Sequence, residues 1–407
     1  MTAILNLKRK PSISIARAGL FILILVLGTI SALMLDETRG LALADLPDVP
    51  VKAINTFTEN RVAYAVLGDE TFASRLYRSL DNGHTWQFVG TGPGVAVNTL
   101  TVQPSGNTVL YAGTKGGPLS ETNNVWRSDD GGQTWRNFNM SLPANPDYQV
   151  PAVTALAIDL NQPQLLYVGT AGQGVYRFRE GEIGYELIGG VSLAAGHVRE
   201  LAAALDGRLY ALTHGGLFVT NGDDWRHLDE FPGIPVSLAV APSDPQVLYA
   251  GHSSNGAYRS GDGGQTWDHI GDGLGLVPGA ALRVTALAVD DQDPHHVMAA
   301  TAYGLGKRLA GSGIYESSNG GKQWTKLADV EELITDLTFN DGAIYAATNK
   351  GLKRYGEPES PEMDVLWGNL RSLTHPTGIQ LLVLTLSISL AGVILLGPVE
   401  RMWPRRG

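Results

Sequence analysis

The sequence predicts an all-β chain: a seven-bladed β-propeller of four-stranded blades, flanked by two transmembrane helices. Three observations lead there. A strand pattern recurs at near-constant spacing between residues 51 and 358. Most recurrences end in a tight turn of glycine, acidic and hydroxylated residues followed by tryptophan. Two uncharged apolar runs lie outside the repeats.

Within the repeats, a V-T-A-L-A-V-like strand leads through a short turn to an L-Y-A-G-T strand, then glycine and an aromatic-led strand. The first strands are centred on Ile54, Leu100, Leu156, Leu201, Leu238, Leu287 and Leu337, at spacings of 46, 56, 45, 37, 49 and 50 residues. Such spacings suit four-stranded blades. β-branched and aromatic runs bounded by glycine, asparagine and proline are strand signals, and no helical period competes with them. A closed ring of such blades removes exposed sheet edges.

The turn recurs as Ser79-x-Asp81-x-Gly83-x-x-Trp86, Ser128-x-Asp130-x-Gly132-x-x-Trp135, Ser260-x-Asp262-x-Gly264-x-x-Trp267 and Ser317-x-Asn319-x-Gly321-x-x-Trp324. Ser and Asp side chains bond the amides of a tight turn, glycine supplies positive φ, and tryptophan packs on the sheet. One or two carboxylates per turn are too few for a calcium cage, so no metal or cofactor is expected. These turns resemble the Asp-box, or BNR, repeat found in sialidase-like, sortilin-type and photosystem II assembly factor propellers. The resemblance covers about residues 51–356 and implies the propeller fold. The assembly factor family looks closer than the sortilin-type receptors, whose propeller precedes a cysteine-rich module, and this resemblance implies docking on a membrane protein without catalysis.

The apolar runs are 18–35 and 379–396, each long enough to span hydrocarbon as a helix. Basic residues lie before the first and after the second, so both tails are expected in the cytoplasm and the repeats outside it, in a bacterial plasma membrane or a thylakoid. The domain reading is a basic tail 1–17, a transmembrane helix or signal anchor 18–35, a linker 36–50, the propeller 51–358, a linker 359–378, a helix 379–397 and a tail 398–407. Cleavage after Ala42-Leu43-Ala44 is the alternative for the first run. The last repeat lacks the turn, so residues 40–46 are expected to close the ring as its missing strand.

Residues 36–399 carry 23 basic and 39 acidic groups, a net −16 that argues against nucleic acid as a partner. The absence of cysteine excludes thiol nucleophiles, disulfides and cysteine-ligated metals. Strand alternation puts the longer insertions on one face, which nominates Glu121, Asp147, Tyr148, Tyr303, Lys307 and Arg308 as contact residues. Near the starts of the innermost strands, His197, Arg199, Glu200, Arg283 and Asp336 are placed at the mouth of a central channel. No carboxylate pair is distinguished by context, Tyr176-Arg177-Phe178-Arg179 matches the sialidase signature poorly, and xyloglucanase-type hydrolases pair two propellers where this chain has one. The sequence therefore reads as a non-enzymatic scaffold, assembly factor or accessory subunit for a membrane protein. The alternative is a propeller that binds or hydrolyses surface carbohydrate.

Overall fold

The computed structural model describes residues 41–355, apart from 43–45, 58–61, 69–73, 104–107, 119–124, 139–141, 143–148, 182–183, 189–195, 223, 276–279, 306–307 and 341. The tails, both apolar runs and the linker 359–378 lie outside these residues. Every regular element among the described residues is a strand, and no helix there is long and apolar enough to cross a membrane.

The first sheet contains β2 (Val51–Phe57), β3 (Val62–Leu67), β4 (Arg75–Ser79) and β5 (Thr85–Gly90), with β1 (Leu41–Ala42) on its edge against β5. The second holds β6 (Val97–Val102), β7 (Leu110–Thr114), β9 (Val125–Ser128) and β10 (Arg136–Asn137). A small pairing joins β8 (Gly117–Pro118) to β11 (Gln149–Val150). Two further sheets follow: β12 (Val153–Ile158), β13 (Leu165–Thr170), β14 (Val175–Arg179) and β15 (Glu186–Ile188), then β16 (Val198–Ala203), β17 (Leu209–Thr213), β18 (Gly216–Thr220) and β19 (Trp225–His227). An eight-stranded sheet comprises β20 (Pro235–Val240), β21 (Leu248–His252), β22 (Asn255–Ser260), β23 (Asp268–His269), β24 (Leu282–Val289), β25 (Val297–Leu305), β26 (Arg308–Ser317) and β27 (Thr325–Ala328). The last sheet has three strands, β28 (Ile334–Asn340), β29 (Ala343–Thr348) and β30 (Gly351–Tyr355).

The fold is an all-β propeller, but the expected seven separate four-stranded blades with two transmembrane helices are corrected. Among the described residues, five sheets have four or more strands, one has three, and none is helical. Two of the sequence repeats merge because Leu282 and Arg283 pair in parallel with Asn255 and Gly256. The segment expected to complete the last sheet lies elsewhere, with Leu41 opposite Trp86 and Ala42 opposite Thr85. The innermost strands β2, β6, β12, β16, β20, β24 and β28 each pack on the next, and β28 packs on β2.

The second strand of each repeat is apolar on both faces because it lies between neighbouring sheets; β3, β7, β13, β17 and β29 are buried along their whole length. Their tyrosines reach across to the adjoining repeat. Tyr249 O–H donates to Pro294 O at 2.8 Å, and Tyr345 O–H donates to Asn82 Oδ1 at 2.9 Å. The four Ser-x-Asp/Asn turns then fix the sheet edges. Gly264 N–H donates to Ser260 Oγ at 2.8 Å, while Thr266 N–H and Oγ donate to the Asp262 carboxylate at 2.9 and 2.7 Å. Ser128 and Asp130 repeat the pattern, and Ser317 and Asn319 keep it with an amide acceptor. Burial opposes the charge on Asp262, but the bonds from Thr266, Ser260 and Gln265 outweigh it and lower its pKa to about 2. These carboxylates are used by their own turns. In the first copy Asn82, at φ 52°, stands where the other copies have glycine, and it tolerates that region while accepting from Tyr345. The next residue must be glycine: a Cβ on Gly83 would lie 2.3 Å from Tyr345 Cε1.

A pH-sensitive clamp sits on the same side of the sixth repeat. His296 bonds Asp290 Oδ2 through Nδ1 at 3.0 Å and Glu316 Oε1 through Nε2 at 2.7 Å, with Phe339 edge-on at 5.3 Å. Burial opposes the imidazolium, but Glu316 and Asp290 outweigh it and raise the pKa above the usual 6.5. A raised histidine pKa contributes stability that is complete below 6.5 and is lost as pH climbs through the folded value. His296→Gln is therefore expected to lower Tm at pH 5.5 and to change it much less at pH 9. An equal loss at both pH values would show that the clamp acts by packing alone.

Candidate functional site

The inner strands share one irregularity that sets the chemistry of the channel. Each shifts register near its start, between Val51 and Ala53, Val97 and Thr99, Val153 and Ala155, Val198 and Glu200, Pro235 and Ser237, Val284 and Ala286, and Ile334 and Asp336. A β-bulge places two residues opposite one and re-aims side chains. The extra residues are Lys52, Asn98, Thr154, Arg199, Val236, Thr285 and Thr335, and all line one cavity of about 260 Å³. The residues that follow them, Ala53, Thr99, Ala155, Glu200, Ser237, Ala286 and Asp336, line it as well.

Part of the polar lining ties one inner strand to the next. Asn98 Nδ2 donates to Val153 O at 3.2 Å, Thr154 Oγ to Val198 O, and Ser237 Oγ to Val284 O at 2.9 Å. Leu238 N–H donates to Glu200 Oε2 at 3.2 Å. Glu200 and Asp336 are both partly buried and both open on the lumen. Burial raises Glu200 to about 8, helped by the charge of Asp336 and opposed by the Leu238 amide and Arg199. Burial likewise raises Asp336 to about 7 against the Leu337 amide. Two interacting carboxyls with pKa values pushed toward neutrality are the kind of pair that exchanges protons with a substrate.

Of the sequence-predicted channel residues, Arg199, Glu200 and Asp336 line the cavity. Arg283 stands just before the bulge of β24, near enough to Arg199 that burial and then the Arg199 charge lower its pKa. His197 stacks on His214 at 4.5 Å and 4°, outside the lining. The long-loop residues fare differently. Glu121, Asp147, Tyr148 and Lys307 lie outside the described residues, and of Arg308 only the backbone, paired with Leu305, is described. Tyr303 is a structural anchor whose phenol donates to Gly275 O. The supposed loop at 302–311 is largely a continuation of the β25–β26 hairpin. Sequence reasoning missed Lys52, Asn98 and the three threonines. Aligning the repeats would have found them, since the residue after the first apolar position is polar in all but one.

No family model matches the chain. It is 28% identical over 282 residues to a xyloglucanase of Paenibacillus sp, covering 62% of this chain and 23% of that protein. It is 27% identical over 261 residues to xyloglucanase Xgh74A of Acetivibrio thermocellus, covering 51% and 30%. The chain thus spans less than a third of the length of these relatives. Among solved structures, YCF48 bound to D1 peptide superposes with TM-score 0.57 at 17% identity, covering 79% of this chain and 97% of that one. An ancestral GH74 enzyme superposes with TM-score 0.55 at 15% identity, covering 79% and 46%. The reading of the chain as a non-enzyme is overturned by the hydrolase relatives. What the comparisons establish for the described chain itself is a β-propeller.

Proposed function

We propose that this protein is a glycoside-hydrolase-type propeller that acts on a polysaccharide, with Glu200 and Asp336 as its carboxylate pair. The observation that carries the proposal is that two carboxyls from different repeats face one lumen with pKa values of about 8 and about 7. Glycoside hydrolysis needs one carboxyl protonated and one ionised. Between those two values the coupled pair holds one proton, with Glu200, the more strongly raised, favoured to carry it. Glu200 then protonates the leaving glycosidic oxygen as the C–O bond breaks, and Asp336 takes the proton of the attacking water. The kinship with two xyloglucanases supports a plant-type glucan as the first substrate to try. A polymer of that kind lies outside cells, so the propeller is assigned to the extracytoplasmic side.

The test is release of reducing ends from xyloglucan and other polysaccharides by the purified full chain. The rate should trace a bell between pH 7 and 8, and Glu200→Gln and Asp336→Asn should each cut it by roughly 10²–10⁴-fold. Wild-type rates in both variants would remove the pair from the mechanism. No release from any polysaccharide would remove the reading.

A further inference from the structure

The cavity is walled by all seven inner strands, each packed on the next, so a ligand inside is encircled. Along the strands its lining takes residues near their starts: 52–55, 98–100, 154–156, 199–201, 236–237, 285–287 and 335–336. The last two residues of every inner strand are absent from the lining. Ile54, Leu100, Leu156, Leu201 and Leu287 line the deeper part, and all five are buried. The cavity is therefore a cup entered from the face where the inner strands begin. Beside its mouth stands a wall. β24 begins three residues before Thr285, the extra residue of its bulge, whereas the other inner strands begin one residue before theirs. The hairpin after it rises too. β13, β17 and β29 end at Thr170, Thr213 and Thr348, opposite the starts of their inner strands, but β25 runs four residues past the equivalent Thr301. Those residues, Ala302–Leu305, stay paired with β26 as far as Arg308. Four extended residues reach about 13 Å.

From this shape we infer that the protein takes a polysaccharide by its end: the cup accepts the terminal residue of a chain and no internal stretch. This rests on the reading of the channel as the saccharide site. An internal stretch must both enter and leave its binding site, and a cup has one opening. A volume of about 260 Å³ lies just below the range of drug-sized pockets and suits one sugar ring. The β25–β26 wall obstructs a polymer laid flat across the mouth, while a chain that arrives end-on passes beside it. The bond hydrolysed is then the glycosidic bond behind the end residue, with water as co-reactant, and one sugar leaves per cut.

The test uses the polysaccharide cut fastest in the screen above, or xyloglucan if none is cut, intact and after sonication to about tenfold more chain ends at equal mass. Below saturation the full chain should release sugar about tenfold faster from the shortened sample, because rate follows the concentration of ends. The viscosity of the intact sample should stay nearly constant while the first sugars appear. Equal rates on the two samples, with an early collapse of viscosity, overturn the inference and leave the hydrolase reading standing. Calorimetric titration of the Glu200→Gln, Asp336→Asn protein with both samples supplies a readout that needs no cleavage. Saturation should follow the number of ends, so the shortened sample should saturate the protein at about one tenth of the mass. Binding that follows ends, with no cleavage by the wild-type chain, supports this inference and removes the hydrolase reading. Binding that follows mass, or no binding, overturns it.

Discussion

Trp86→Ala is expected to destabilise the propeller by about 3–5 kcal/mol, the usual cost of emptying a buried tryptophan site. Trp86 is 0% exposed, and its indole N–H donates to Gly83 O at 3.1 Å. Its ring meets Tyr345 edge-on at 6.4 Å, inside a core cluster that also holds Leu46, Val51, Tyr77 and Leu352. That cluster joins the first sheet to the last, so the cavity would open where the ring closes on itself. Thermal unfolding should show a drop on the order of 6–12 °C. Tyr345→Phe keeps the ring and removes the bond to Asn82, so about 1 kcal/mol is expected. If Trp86→Ala cost less than Tyr345→Phe, closure would not depend on this contact.

The second large effect runs the other way. Glu200→Gln combined with Asp336→Asn is expected to stabilise the protein at pH 8 while abolishing the hydrolysis proposed above. A carboxyl whose pKa is raised by folding favours the folded state fully below its unfolded value, here 4.5 and 3.8, and that benefit is lost as pH rises through about 8 and about 7. At pH 8 the native channel therefore holds charges it would rather not. The neutral amides keep an acceptor for the Leu238 and Leu337 amides and remove that penalty. Allowing for water in the lumen, the gain is on the order of 2–4 kcal/mol for the pair, or roughly 5–8 °C in Tm. The gap should shrink toward zero at pH 4. A variant equally stable to wild type at both pH values would show that the carboxyls titrate normally. Stability surrendered for a charged site is a common trade in enzymes.

How much of this was legible in the sequence differs by feature. The strands and the Ser-x-Asp turns were, because both depend on local rules: two-residue alternation and side chains bonding amides four residues away. The channel group of Arg199, Glu200 and Asp336 was legible too, as polar residues near the starts of otherwise apolar strands. Their pairing was not. Glu200 and Asp336 belong to repeats far apart in the chain, and only ring closure places their charges in reach of one another. That is why the sequence showed no carboxylate pair. The parallel joint of Asn255 and Gly256 with Leu282 and Arg283 was hidden because a pairing between two repeats leaves no local pattern in either strand. Tyr303 looked like an exposed contact because glycines around it obscured the strand it belongs to.

The bulge near the start of every inner strand has a consequence for how such a ring can change. In a regular strand, two neighbouring positions answer to opposite faces, so altering one function means disturbing the packing code beside it. Here two consecutive positions per strand are released from that code and turned to the same lumen. Lysine, asparagine, threonine, arginine and valine already occupy equivalent places without altering the sheets behind them. The lumen is in effect a rewritable surface on a fixed frame, most freely at positions such as Val236, which make no polar tie to the next strand, and less so at Asn98, Thr154 and Ser237, which do.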